Sequence, residues 1–260
     1  MMNNLLKNSF ILIIYCWLYI PIIILITNSF NKSRFGINWE EFSFKWYTVL
    51  ANNSSLIEAT KYSLIIGITS ATIATIIGLI TAIVIYYQNN CFKSFITTML
   101  FIIIISPDIV MAISLLLFFT LFNISLGFWS LLFSHITFSL PFTTITIYSR
   151  LNGFDNKILE AAKDLGANII IIIYKIIIPI AIPGIIAGWL LSFTLSIDDV
   201  VISFFVSSPQ FEVLPIKIFS MVKLGISPEI NALGTILLST TIILAGISQL
   251  LLYKKGILNE

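Results

Sequence analysis

The sequence predicts an all-α, polytopic membrane protein with six transmembrane helices. Of its 260 residues, 58% are hydrophobic and only 10% are charged, whereas charged residues make up about 25% of a soluble domain. The mean hydropathy is +1.03. Because too few polar residues are present to cover a water-exposed surface, we expect the chain to lie in lipid.

Six apolar runs carry this prediction, since a helix needs about 20 residues to cross a bilayer. Their limits are about 10–30, 62–87, 95–120, 128–149, 183–207 and 231–253. The first run is longer than a signal-peptide core of roughly 7–15 residues. We therefore expect it to be retained as a spanning helix, equivalent to an uncleaved signal anchor.

The third run is interrupted by Ser106-Pro107-Asp108. Proline lacks an amide proton and breaks a helix, so we expect one span that is kinked or broken at Pro107. An alternative is a span that ends there and is followed by a re-entrant segment over 109–122. We expect Asp108 to cap the half-helix that begins at the break, because a carboxylate accepts bonds from free amide groups.

Small residues predict that the helices pack closely, because they allow helix backbones to approach each other in lipid. They are Gly67, Ala71, Ala74, Gly78 and Ala82 in the second run, and Gly184 and Gly188, at GxxxG spacing, in the fifth.

The distribution of basic residues favours cytoplasmic termini. Six spans place both termini on one side, together with eight of the 14 Lys and Arg residues. The positive-inside rule assigns that side to the cytoplasm. The segment 31–58 then lies outside, where Trp39, Trp46 and Tyr47 suit an aromatic belt at the membrane interface.

Several other classes of protein find no support in the sequence. A net charge of +2 is too small to indicate nucleic-acid binding. Cys16 and Cys91 form no CxxC pair, and His135 has no second ligand at metal-binding spacing. We therefore expect no metal, and a His135 that lies in the core or bonds to a neighbouring helix. Neither GxxxxGK[ST] nor GxGxxG is present, so we expect no ATP hydrolysis and no cofactor in this chain.

The polar segment 150–182 is unusual in so apolar a chain. We expect a short helix from about Asn156 to Leu165, with Asp155 or Asn156 as its cap. Gly166 then supplies a positive-φ turn. A second, apolar helix over 168–178 is expected to end at Pro179 and Pro183.

One surface of the first short helix is predicted to meet a partner. Glu160 and Asp164 share a face at helical spacing, with Lys163 close by, and Ala161 and Ala162 leave a flat surface over which another protein could close. An amphipathic helix lying on the membrane is the alternative.

The pattern of this segment resembles the EAA loop of the membrane subunits of ABC importers. In that family the helix before the glycine inserts into a groove of the ATPase subunit, so the resemblance implies an ATPase-coupling site. An isoleucine replaces the leucine that usually stands before the proline. The residues that carry the pattern are Glu160, Ala161, Ala162, Gly166, Ile176 and Pro179.

Further stretches resemble the C-type permeases of bacterial spermidine/putrescine importers, namely 107–116, 195–201, 214–223 and 225–233. The resemblance implies an ABC type I importer permease fold, with 1–260 as a single transmembrane domain and the coupling loop at 150–182. It also implies a non-catalytic subunit of the bacterial inner membrane that moves polyamines into the cytoplasm by alternating access.

The same resemblance implies a set of partners. They are two ATPase subunits that bind ATP and Mg²⁺, a second homologous permease, and an external substrate-binding protein that docks on the outer loops 31–58 and 207–230.

Asp198 and Asp199 fall inside the predicted fifth span, where a carboxylate costs about 2.5–3.5 kcal/mol. Polyamines are cations at neutral pH because their amines resemble that of lysine, with a pKa near 10.4. Adjacent residues of a helix point about 100° apart. We therefore expect one aspartate to line the substrate path and the other to bond to backbone. Alternatively, both stabilise helix packing or a gate.

Two other functions remain open at this point. A permease of the same fold would carry iron, phosphonate or another small solute. A proton-coupled secondary transporter would use Asp108, Asp198 and Asp199 as a relay. It predicts inverted repeats with interrupted helices, which the sequence does not show, and it leaves the segment around Glu160 without a role.

Overall fold

The computed structural model describes residues 2–34, 38–88, 91–153, 157–224 and 228–254. Within these ranges the chain is helical, and β pairing is limited to two isolated bridges, Asn31 with Phe42 and Ser208 with Phe211. The helices are α1 (Met2–Ser29), α2 (Lys45–Asn52), α3 (Ser54–Tyr87), α4 (Cys91–Ile105), α5 (Asp108–Leu121), α6 (Phe128–Asn152), α7 (Lys157–Asp164), α8 (Ile169–Ile172), a π-helical segment (Ile173–Ile177), α9 (Ile178–Asp198), α10 (Val201–Val206), α11 (Leu214–Leu224) and α12 (Pro228–Lys254).

Within the described ranges, four helical stretches are long and apolar enough to cross a membrane. They are Lys7–Ser29, Ser54–Tyr87, Phe128–Asn152 and Ile169–Asp198. The bent pair α4 and α5 makes a fifth span if it is counted as one. The predicted all-α membrane fold is therefore confirmed, with four or five of the six expected spans.

The predicted break at Pro107 is present. Helix α4 ends at Ile105, α5 begins at Asp108, and the two are bent by 108°. The expected side-chain cap is not formed, because Pro107 occupies the capping position and Asp108 is already inside the first turn. The Val110 amide bonds to the Pro107 carbonyl oxygen at 2.9 Å, and the Asp108 carboxylate lies at the positive end of the helix dipole.

The expected limits of the fifth span, 183–207, are wrong. The observed span runs from Ile169 to Asp198 without interruption. Its π-helical segment ends with a bond from the Ile178 amide to the Ile173 carbonyl oxygen. Pro179 follows as the second residue of α9, where amide groups have no partner within that helix. Pro183 lies inside α9 and removes one backbone bond without ending the helix.

Residues 58–217 form one compact unit in which α6 packs along α9. The predicted close approach at the small residues is confirmed. A Cβ on Gly184 would lie 3.0 Å from the Arg150 Cβ, and a Cβ on Gly188 would lie 3.4 Å from the Thr143 Cα. A Cβ on Gly78 of α3 would collide with the Thr143 hydroxyl.

Residues 1–57 and 218–260 form the other unit, in which α12 packs against α1 and α2. The buried Asn31 side chain organises the turn after α1, because it donates to the Asn38 carbonyl oxygen and accepts from the Glu40 amide. Trp46 is buried and donates its indole N–H to the Asn31 carbonyl oxygen at 2.7 Å. Trp39 is exposed, so Trp39 rather than Trp46 is available to an interface.

Candidate functional site

Helix α7 ends in a glycine turn whose amide groups bond to carbonyl groups near the end of the helix. Gly166 has a φ of 78°, so the predicted positive-φ turn is confirmed. The Gly166 amide bonds to the Lys163 carbonyl oxygen at 2.8 Å, and the Ala167 amide bonds to the Ala162 carbonyl oxygen at 3.0 Å. This pair of bonds is the Schellman arrangement, which gives the chain a fixed exit from the helix.

The inner face of α7 is anchored to the core of its unit. Leu159 is buried in an apolar cluster with residues of α3, α6, α8 and α9, and Ala162 and Ala167 pack against the same cluster. Ala162 therefore faces inward, in contrast to the expectation that both alanines line the partner surface. The expected cap at Asp155 or Asn156 lies outside the described residues.

The outer face of α7 and of the turn after it carries both charge and an uncovered apolar side chain. Glu160, Ala161, Lys163 and Asp164 are exposed, and Leu165 is 89% exposed. Exposed leucines are common singly, but this one stands at the tip of a fixed turn beside an acidic pair. We call the surface made by Glu160, Ala161, Asp164 and Leu165 the coupling face.

The coupling face is joined to a membrane helix through the π-helical segment. Ile176 is partly buried against the same apolar cluster as Leu159, and Ile177 is buried in it. Pro179 is exposed at the start of α9. Helix α8, the π-helical segment and α9 are continuous, so the apolar cluster under α7 is built in part by the span that ends at Asp198.

The two predicted acids lie at a helix break rather than deep inside a span. Asp198 is the last residue of α9 and is exposed, whereas Asp199 lies in the two-residue gap before α10. The Asp199 carboxylate accepts from the amides of Ile202 at 3.1 Å and Ser203 at 2.7 Å. Asp199 therefore caps α10, whereas the Asp198 carboxylate does not take part in this cap.

His135 of α6 contacts both sides of this break. Its Nδ1 lies 2.6 Å from the Ser196 Oγ of α9, and its Nε2 lies 3.1 Å from the Ser203 Oγ of α10. Nε2 is also 3.6 Å from the Asp199 Oδ2. The imidazole is 2% exposed, in agreement with the expectation of a histidine that bonds to neighbouring helices.

The sequence did not point to this cluster, because its members are 61 and 68 residues apart along the chain. A weak signal was available. Ser192, Ser196 and Ser203 repeat at spacings of four and seven in an apolar stretch, a pattern that on an unbroken helix would place the hydroxyl groups along one face.

Beside the break between α4 and α5 lies an open, mostly apolar groove with a volume of about 350 Å³. It carries hydroxyl groups but no charged side chain. Its lining residues are Ile103, Ser106, Val110, Met111, Ser114, Leu115, Phe118 and Thr137. Within the described ranges, no group of three or more His, Cys, Asp or Glu side chains is placed to hold a metal ion.

Comparison with known proteins finds relatives that match almost the whole chain. The spermidine/putrescine transport system permease protein PotC of Escherichia coli strain K12 is 58% identical over 255 residues, 98% of this chain and 97% of its own length. The putrescine transport system permease protein PotI of the same strain is 37% identical over 92% of this chain and 88% of its own length.

Among solved structures, a bacterial ABC transporter involved in the import of the acidic polysaccharide alginate aligns over 95% of both chains, with a TM-score of 0.76 and 14% identity. At that identity the similarity shows the fold alone. Residues 74–255 match the family model for the binding-protein-dependent transport system inner membrane component. The chain therefore belongs to the family of binding-protein-dependent transport system inner membrane components.

Proposed function

We propose that this chain is a six-span permease subunit of an ATP-driven importer that moves polyamines such as spermidine and putrescine into the cytoplasm. The observation that carries the substrate class is the 58% identity with a spermidine/putrescine permease over almost the whole chain. The exposed Asp198 at a helix break supports it, because an exposed carboxylate suits a path for ammonium groups.

Coupling to ATP hydrolysis takes place at the coupling face. Two ATPase subunits bind ATP and Mg²⁺, and one of them covers Glu160, Ala161 and Leu165. Because α7 is held to the core by Leu159, closure of the ATPases moves the whole unit rather than a loose loop. Gly166 fixes the angle at which α7 leaves the contact, and Ile176 and Pro179 join the contact to α9.

The remaining partners are a second homologous permease and an external substrate-binding protein. The binding protein docks on the outer loops 31–58 and 207–230, and the path runs between the two permeases. This subunit performs no covalent chemistry. Both termini lie in the cytoplasm, and the chain is a multi-pass protein of the bacterial inner membrane.

The two aspartates have different roles in this mechanism. Asp198 lines the path and attracts the cationic substrate. Asp199 holds the first turn of α10 through its bonds to Ile202 and Ser203. Asparagine at position 199 keeps one acceptor oxygen for those amides, whereas asparagine at position 198 removes the charge that substrate meets.

The decisive experiment measures uptake of labelled spermidine and putrescine by cells that lack their own polyamine importers. The cells express this chain with its ATPase, second permease and binding protein. We expect uptake that depends on this subunit. Asp198→Asn should raise the KM about tenfold or more, since one lost charge contact is worth about 1.5–3 kcal/mol.

Asp199→Asn serves as the matched variant, because it removes a neighbouring charge of the same type. We expect a smaller change in KM, with an effect on the amount of assembled complex instead. An assembled complex that takes up neither polyamine would overturn the proposed substrate. Equal KM values for the Asp198→Asn variant and the parent would remove Asp198 from the path.

A further inference from the structure

The break between α9 and α10 leaves an acid at the very end of a helix in a membrane protein. Asp198 is the last residue of α9, and α10 begins only at Val201. A helix end of this kind has carbonyl groups without intrahelical partners. The last turn of α9 is therefore held by fewer backbone bonds, and the direction of the Asp198 side chain depends on the contacts that hold that turn.

His135 is the side chain that joins them. On one side of the break the imidazole bonds to Ser196 of α9, two residues before Asp198. On the other side it bonds to Ser203, in the first turn of α10. Ser196 and Ser203 are 4% and 0% exposed. The imidazole thus bonds to both helices at once and lies 3.6 Å from the Asp199 carboxylate between them.

The hydrogen positions in this cluster follow from its charge. The Asp199 carboxylate, 3.6 Å from Nε2, favours a hydrogen on that nitrogen, which then donates to the Ser203 hydroxyl. Nδ1 is left to accept from the Ser196 hydroxyl. The Ser196 oxygen can then accept from Ser70 of α3, 3.3 Å away, so the cluster links α3, α6, α9 and α10.

From this geometry we infer that His135 is a positioning residue for substrate translocation: it fixes the α9–α10 break and so aims Asp198 into the path. The inference rests on the proposed function for the role of Asp198 as a substrate contact. The positioning itself is a property of this chain and is measured without substrate.

The first test uses Asp198→Cys as a reporter, in a chain whose exposed Cys16 and Cys91 are replaced by serine. The rate at which a positively charged methanethiosulfonate modifies the introduced thiol is measured in the assembled complex. His135→Asn keeps a group that reaches Ser196 but is too short to reach Ser203. We expect this variant to change the modification rate about fivefold, the size of one lost hydrogen bond.

Ser203→Ala removes the same link with a smaller change, which protects the test if the histidine variant does not assemble. The matched control is Ser134→Ala. Ser134 is buried next to His135, and its hydroxyl bonds to the Ser130 carbonyl oxygen of the same helix at 2.7 Å. We expect Ser203→Ala to follow His135→Asn, and Ser134→Ala to leave the rate at position 198 unchanged.

The second test asks whether His135 acts through Asp198. In the chain with Asp198, His135→Asn should raise the KM for polyamine uptake about fivefold and leave Vmax within about a factor of two. In the Asp198→Asn background the same change should leave KM unaltered, since coupled residues are not additive.

Equal effects on KM in the two backgrounds would overturn the inference and reduce His135 to a packing role. The inference would also be overturned if His135→Asn and Ser203→Ala both left the modification rate at position 198 at the parent value. If the parent complex imports no polyamine, the uptake arm fails with the proposed function. The rate at position 198 then still decides whether His135 fixes the break.

Discussion

At the scale of single residues, Gly166 is a position where the backbone conformation restricts the residue type and side-chain packing does not. Its φ of 78° lies in the left-handed region, which costs a residue with a side chain about 1–2 kcal/mol. A Cβ at this position would meet no atom within 4 Å. Any effect of substitution in the free subunit therefore comes from the turn, not from a clash.

We predict a rank order for three substitutions at this position. Gly166→Asn should keep most uptake, because asparagine tolerates the left-handed region. Gly166→Ala should lose part of it, and Gly166→Val should lose most, because a β-branched residue suits that region least. Uptake is measured beside the amount of subunit in the membrane, which should be the same for all three.

Equal losses for Asn, Ala and Val would show that the partner contacts the glycine surface itself and that the turn is unimportant. Normal uptake with Gly166→Val would remove the turn from the coupling mechanism altogether.

The sequence reveals the local parts of the site and not its long-range parts. Gly166 was predictable because a glycine after a short polar helix has few other uses. The cap that Asp199 forms on α10 was predictable only for one of the two aspartates, since helical geometry separates adjacent side chains without showing which of them bonds to backbone. The role of His135 depends on contacts with α9 and α10, which no local pattern encodes.

At the scale of elements, prolines were the main source of error. Pro107 breaks the chain as expected, because it stands between two helices in an extended conformation. Pro179 and Pro183 were expected to end a helix, yet the span passes through both. The span continues through Pro179 because α9 begins at Ile178, directly after the π-helical segment. The first amides of a helix have no partner within it, so the amide that proline lacks is not missed there.

Helix α7 and the turn after it offer a matched pair of leucines that separates an effect on stability from an effect on partner binding. Leu159 is 6% exposed and Leu165 is 89% exposed. We predict that Leu159→Ala destabilises the isolated subunit by about 2–3 kcal/mol, since it leaves a cavity under α7. Leu165→Ala should leave the stability unchanged and weaken the association with the ATPase.

Thermal unfolding of the purified subunit and co-purification of the ATPase measure the two effects. The assignment of the coupling face would be wrong if Leu165→Ala retained the ATPase as well as the parent does. A stability loss for Leu165→Ala equal to that for Leu159→Ala would show that Leu165 is covered within this chain.

At the scale of the whole molecule, the membrane topology depends on one element, the bent pair α4 and α5. If the pair crosses the membrane, Leu165 and Trp39 lie on opposite sides. If the pair is re-entrant, the following helix α6 starts from the other side, and Leu165 and Trp39 lie on the same side. The 108° bend fits both cases, so the sidedness of two exposed residues decides between them.

We predict that the pair crosses, because an ATPase must reach the coupling face from the cytoplasm. Single cysteines at positions 39 and 165, both exposed in the structure, are placed in a chain without Cys16 and Cys91. A membrane-impermeant maleimide should label position 39 in intact spheroplasts and position 165 only after permeabilisation. Co-expression of the ATPase should then protect position 165 and not position 39. Labelling of both positions in intact spheroplasts would make α4 and α5 a re-entrant loop and would place the coupling face outside, where no ATP-driven partner could use it.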